Sequence, residues 1–144
     1  MRHVSNLIAV ALVATAAAAF AEGEASDPTV RARQDLMKTI GMNVKILGNM
    51  AGGKAAFDAE AAGRAQAALA AAAAEIPAKF KPQASDPASD AKPGIWTGWD
   101  DFVTKAGALK AAAEALDPAS LEKVQAGIAG VGGACKACHS VYRM

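Results

Sequence analysis

Near its C-terminal end the 144-residue chain carries Cys135-Lys136-Ala137-Cys138-His139, and only Ser140 to Met144 follow. Anything that meets this cluster from the opposite side is therefore expected from polypeptide folding back from upstream. Two thiols three residues apart with an adjoining imidazole form C-x-x-C-H, the spacing at which a protein holds a c-type haem covalently. The thiols add across the haem vinyl groups and the imidazole ligates the iron. C-x-x-C alone also occurs in redox pairs and half zinc sites, and a structural disulfide is a further alternative. A redox pair of the thioredoxin kind sits early in a βαβ pattern, whereas strand signal is nearly absent here. A structural zinc site needs about four ligands, and outside residues 135–139 there is no other Cys and one other His, His3.

The first residues read as a secretory signal, with Arg2 and His3 as a short basic region, Leu7 to Ala19 as the apolar run and Ala19-Phe20-Ala21 as the cleavage site. The expectation is a signal peptide over 1–21, a mature domain over 22–144 and a periplasmic location, which fits haem attachment outside the cytoplasm. A membrane anchor is the alternative, but the run is shorter than the roughly 20 apolar residues that span a bilayer. Cleavage would leave 14 Lys+Arg against 14 Asp+Glu, too balanced for a nucleic-acid-binding patch.

Alanine dominates and β-branched residues are few, so the pattern is helical throughout. The spacing predicts four helices. The first opens at Asp27-Pro28, an N-cap followed by proline at the first helical position, and stops at Gly52-Gly53. On it Val30, Met37, Val44 and Ala51 recur at seven, with Ile40 and Leu47 between them, as an inward stripe. The second runs from Asp58 to Ile76 and ends before Pro77; residues 77–94, with four prolines, form the one long loop. The third starts near Pro93-Gly94, turns Ile95, Trp96, Trp99, Phe102 and Val103 inward, and ends at Leu116. The fourth opens at Asp117-Pro118 and runs into the haem motif. Gly127, Gly130, Gly132 and Gly133 on it cost helix stability, about 1 kcal/mol each, for close approach of a porphyrin or for a kink. The fold class is all-α, an antiparallel four-helix bundle with a covalently bound haem near the C-terminal helix.

Arg33-Gln34-Asp35-Leu36-Met37-Lys38 on the first helix, Ile95-Trp96 opening the third, and the C-x-x-C-H motif followed by Tyr142-Arg143 together resemble class II cytochrome c, the group of cytochrome c′ and its low-spin relatives. The resemblance spans the mature sequence. It implies a four-helix bundle, frequently a homodimer, with haem c as the only cofactor and a bacterial periplasmic home. It also implies that the residue at Met37 divides the family. A bulky residue there leaves the iron five-coordinate and open to nitric oxide or carbon monoxide, whereas in low-spin members a methionine there binds the iron. Arginine at Arg33 resembles cytochromes c′, some of which carry methionine without ligating it.

Elimination bears on the same question. Loss of His3 leaves His139 as the only histidine, so a thioether is the next ligand for an electron-transfer haem. Met144 shares the helix of His139, Met42 lies about 140° around the helix from Met37, and Met50 about 20 Å further along it. Met37 is the expected sixth ligand, with packing over the haem face as the alternative. Arg33, one turn earlier, meets a haem propionate or is a solvated surface charge. Lys38, Lys45, Lys105 and Lys136 are candidates for docking a redox partner protein. The expected function is single-electron transfer without substrate chemistry, since there is no distal histidine for acid-base catalysis; the alternative is gas binding.

Overall fold

Asp27 accepts from the backbone N–H groups of Thr29 and Val30 at 2.8 and 2.9 Å, and Pro28 takes the first helical position, where a missing N–H costs nothing. The computed structural model describes residues 25–144, so the expected signal peptide over 1–21 lies outside the described residues. Five helices follow in order: α1 (Pro28–Ala51), α2 (Ala59–Phe80), α3 (Gly94–Thr97), α4 (Trp99–Ala115) and α5 (Leu121–Tyr142). The one β feature among the described residues is an isolated antiparallel bridge between Ala91 and Arg143.

The four long helices form a ring in which α1 packs on α2, α2 on α4, α4 on α5 and α5 on α1. Each runs antiparallel to its neighbours, as an up-down-up-down bundle requires. Ala62, Ala65, Ala72 and Ala73 are the buried residues of α2 along with Leu69, Ile76 and Phe80, and these small side chains let α1 and α4 approach closely. Leu47, Leu69, Leu116, Val124 and Val131 are fully buried, each contributing about 1.5–3 kcal/mol by leaving water. At one end an aromatic cluster closes the core, with Phe80 and Tyr142 centred 5.3 and 5.4 Å from Phe102.

Three boundaries differ from the sequence reading. Helix α2 passes Pro77 and ends at Phe80. A proline in the last turn loses one backbone bond, and the helix continues because Phe80 is buried and its carbonyl accepts from Trp96 Nε1 at 2.8 Å. The long loop is therefore 81–93. The expected third helix is two, since Gly98 stands between α3 and α4 with φ −113° and ψ 39°. A Cβ there would meet the Tyr142 hydroxyl at 3.1 Å. Helix α5 begins at Leu121, with Ser120 as its N-cap in extended conformation. Asp117 instead caps a preceding turn through Ala119 N–H at 2.9 Å. The buried Leu116 explains the delay: it packs against Gly127, where a Cβ would come within 3.0 Å of its Cγ.

The inward stripe of α1 is also rotated. Its buried residues are Val30, Arg33, Leu36, Ile40, Leu47 and Met50. Met37, Val44 and Ala51 are half-buried along one edge.

Candidate functional site

Cys135 and Cys138 lie one turn apart on α5, both half-buried and packed against the core. Desolvation is the main cause that pushes both thiols above their ordinary value; for Cys138, Lys105 opposes it while Cys135 and Asp101 add to it. Thiols held neutral in this way are unlike the low-pKa thiolate that a redox pair needs. Among the described residues no group of three or more His, Cys, Asp or Glu is placed to hold a metal ion, so the zinc alternative finds no donor set. His139 is more open to solvent than the cysteines. Partial desolvation, then the charge of Arg143, lowers its pKa and favours the neutral imidazole that offers a lone pair.

The side of α1 that faces this cluster follows from its contacts. Ala32, Leu36 and Thr39 line a groove with Ala68, Ala71 and Ala72 of α2. The opposite edge, carrying Met37 and Val44, thus faces α5. Gln125 Nε2 on α5 donates to the Ala51 carbonyl at 2.9 Å, which fixes the register of these antiparallel helices. Fourteen residues back from Ala51 lies Met37, and fourteen residues on from Gln125 lies His139; at about 1.5 Å per residue both steps cover about 21 Å. Met37 and His139 stand at the same height on facing helices. The other methionines do not: Met42 and Met144 are 59% and 73% exposed, and Met50 is buried in the core.

Between them the facing walls are apolar or bare. Met37, Val44, Ile128, Ala134, Cys135 and Cys138 pack on the core cluster, while a Cβ built at Gly41 and Gly48 of α1, or at Gly132 of α5, would meet nothing within 4 Å. Two neutral thiols on one face, an imidazole beside them and a thioether level with it form a donor set that fits a haem c. Gly127 is accounted for by Leu116, and α5 runs unbroken through all four of its glycines.

Arg33 is not the solvated surface charge that was one reading of it: it is 2% exposed. Its Nε and Nη1 donate to the carbonyls of Lys79 and Ala84 at 3.2 and 3.4 Å, and Nη2 donates to that of Pro82. The guanidinium lies 5.2 and 5.1 Å from the ring centres of Phe80 and Trp96. Desolvation lowers its pKa, with Asp27 acting in the opposite direction. Gln34 Nε2 donates to Ala88 O at 2.8 Å, so adjacent residues of α1 hold the long loop.

That loop also grips the segment after His139. Lys92 N–H donates to Tyr142 O at 2.9 Å, Met144 N–H to Asp90 O at 2.9 Å, and Arg143 pairs with Asp90 at 3.0 Å. The Tyr142 hydroxyl donates to Asp101 at 2.6 Å, which holds the carboxylate below its usual range and pushes the phenol up to about 12. Sequence reading missed Asp101, Gln34 and Asp86, because their partners lie 41 to 60 residues away.

The family model described as Cytochrome C′ matches residues 28–143. Cytochrome c-556 of Agrobacterium tumefaciens (strain II Chrys) is 37% identical over 119 residues, covering 80% of this chain and 96% of its own length. Among solved structures, cytochrome c′ from Rhodobacter Spheriodes superposes with a TM-score of 0.74 at 30% identity, covering 81% of this chain and 95% of that one. A ferrous variant of cytochrome c prime from Alcaligenes xylosoxidans with bound NO gives a TM-score of 0.71 at 27% identity, covering 81% and 94%.

Proposed function

The chain belongs to the cytochrome c′ family and carries one covalently bound haem c, and from that premise we propose that it is a periplasmic carrier of single electrons whose iron is ligated by His139 and Met37. Haem c, when bound, supplies a one-electron Fe(III)/Fe(II) couple. In this reading Cys135 and Cys138 fix the group by thioether bonds, each thiol S–H adding across one vinyl group. His139 and Met37 would supply a nitrogen and a sulfur ligand to its iron. The observation that carries the assignment is the register set by Gln125 and Ala51, which levels Met37 with His139. Thioether ligation favours electron transfer and raises the reduction potential.

Arg33 adds a buried charge one turn before Met37, without a carboxylate partner among the described residues. A guanidinium has five N–H donors, and the carbonyls of Lys79, Pro82 and Ala84 occupy three nitrogens once each. The remaining N–H groups suit a haem propionate. The protein acts without substrate chemistry, with another redox protein as donor or acceptor and, as its family implies, as a homodimer. No helix of the described residues is long and apolar enough to cross a membrane.

A second reading has support from the NO-bound relative and from the space beside Met37 at Gly41. Here Met37 packs over the haem without bonding, and the iron takes nitric oxide or carbon monoxide. Proton NMR of the ferrous protein separates the two. An iron-bound methionine gives ring-current-shifted methyl and methylene signals, expected in the native protein and absent from Met37→Ala. Their absence from the native protein overturns electron transfer as the primary reading.

A further inference from the structure

Charge on the four long helices is unevenly shared. Helices α1 and α5 carry Arg31, Arg33, Lys38, Lys45, Lys123 and Lys136 against Asp35 and Glu122 alone. Helices α2 and α4 carry five carboxylates and four cations, and those cations are paired: Arg64 with Glu60, Lys79 with Glu75, Lys105 with Asp101 and Lys110 with Glu114. A chain with a formal net charge of only +1 thus has one wall of excess positive charge.

Three of these lysines lie beside the candidate site. Lys38 and Lys45 each follow a half-buried residue of the α5-facing edge, Met37 and Val44, by one position, and both are exposed. Being seven residues apart they share a stripe, with Gly41 between them. Lys136 lies eleven residues beyond Gln125, three turns along the α1-facing edge of α5. By the same register it is level with Ile40, between the heights of Lys38 and Lys45. Lys45 and Lys136 have no carboxylate within ion-pair distance among the described residues, and Lys38 pairs only with Asp35 at 3.4 Å, both 59% exposed. An exposed pair of this kind contributes little to stability, so Lys38 can exchange Asp35 for a partner's carboxylate. No acidic residue occurs on α1 after Asp35 or on α5 after Glu122.

We infer that the surface along the α1/α5 seam, bearing Lys38, Lys45 and Lys136, is the docking face for an acidic redox protein. The proposal rests on the electron-transfer reading and names the partner chemistry for it. Opposed charges around a small apolar centre steer encounter and orient the complex, bringing the partner to the helices that hold the haem. Lys105 drops out of the docking set, because it sits on α4 paired with Asp101 at 3.5 Å.

The test uses the full haem-loaded protein and a carboxylate-terminated monolayer on gold, with bound mass read on a quartz microbalance. The native protein should adsorb at low ionic strength and be released by salt. The triple variant Lys38→Gln, Lys45→Gln, Lys136→Gln should bind roughly tenfold more weakly. The triple variant Lys79→Gln, Lys105→Gln, Lys110→Gln, with the same net charge change, should bind as the native protein does. Equal loss in both triples, no loss in the first, or no adsorption of the native protein overturns the proposal. Binding to phosphatidylglycerol vesicles without binding to the carboxylate layer overturns it in favour of a membrane. Salt-sensitive self-association lost only in the first triple assigns the face to a second copy and overturns it as well. Voltammetry on the same layer keeps the two claims apart: normal, face-dependent adsorption without a redox wave supports docking and contradicts electron transfer.

Discussion

Replacing Arg33 with methionine removes the donor that holds the long loop while keeping an apolar stem of similar reach. Two loop carbonyls and that of Lys79 in the last turn of α2 lose their partner, and two aromatic faces lose a cation about 5 Å away. Hydrogen bonds to charged groups contribute about 1.5–3 kcal/mol each and desolvated cation–π contacts about 2. These do not add fully, and relief of a desolvated charge offsets part of the loss. A net destabilisation of about 2–4 kcal/mol follows, which at an m-value of about 2 kcal/mol/M lowers the urea midpoint by about 1–2 M. Arg33→Lys should fall between, since it keeps the charge without the planar fork. Urea unfolding followed by circular dichroism gives the stability, and amide exchange over 81–93 should accelerate before the helices open. A loss below about 0.5 kcal/mol, with loop exchange unchanged, would refute the claim that Arg33 is the loop's anchor.

Two glycines should respond oppositely to alanine. Gly107→Ala, where a Cβ meets nothing within 4 Å, should stabilise by about 0.5–1 kcal/mol. Gly127→Ala should destabilise by about 1 kcal/mol or more, because the Leu116 backbone lies 3.2 Å from the new Cβ and overpacking outweighs helix propensity; thermal unfolding of both reads the sign. Asp86, held at about 2 chiefly by the Asp27 and Ala88 backbone N–H groups and the Ser26 hydroxyl, has a depressed folded pKa, so its contribution is present above about 4 and is lost as pH falls toward 2. Asp86→Asn should be less stable than the native protein at pH 5, with the difference closing over that window in acid titrations. Tyr142, raised to about 12, contributes stability that is present below about 10 and lost as pH rises through the folded value. Tyr142→Phe should be less stable at pH 7, and alkaline unfolding curves of the two should converge between those values.

What the sequence made legible was local. Asp27-Pro28 and Asp58 mark helix starts because capping involves residues two or three apart, and C-x-x-C-H declares its chemistry by spacing alone. Errors arose where a distant side chain decided a boundary. Pro77 reads as a helix end until Phe80 finds its place beside Phe102, and Asp117-Pro118 reads as a cap until Leu116 packs on Gly127. The helix break at Gly98 depends on a tyrosine 44 residues away. Arg33 is the same case in the site: on a helix wheel it is any charged residue, and only the end of α2, the loop after it and α3 give it three carbonyls and two rings. Phase and elimination made Met37 the candidate ligand, and its level with His139 follows from one bond between Gln125 and Ala51.

Addition of carbon monoxide to the reduced native protein, followed by visible absorption, tests the central claim most directly. If Met37 ligates the iron, the ferrous spectrum has the sharp bands of a low-spin haem and carbon monoxide leaves it essentially unchanged. Met37→Ala should take up carbon monoxide at once and still fold, since Met37 is only half-buried and its loss costs less than the about 2–5 kcal/mol of a fully buried methionine. Immediate carbon monoxide uptake by the native protein, from a high-spin ferrous state, would contradict the account and make Met37 a packing residue over an open haem face.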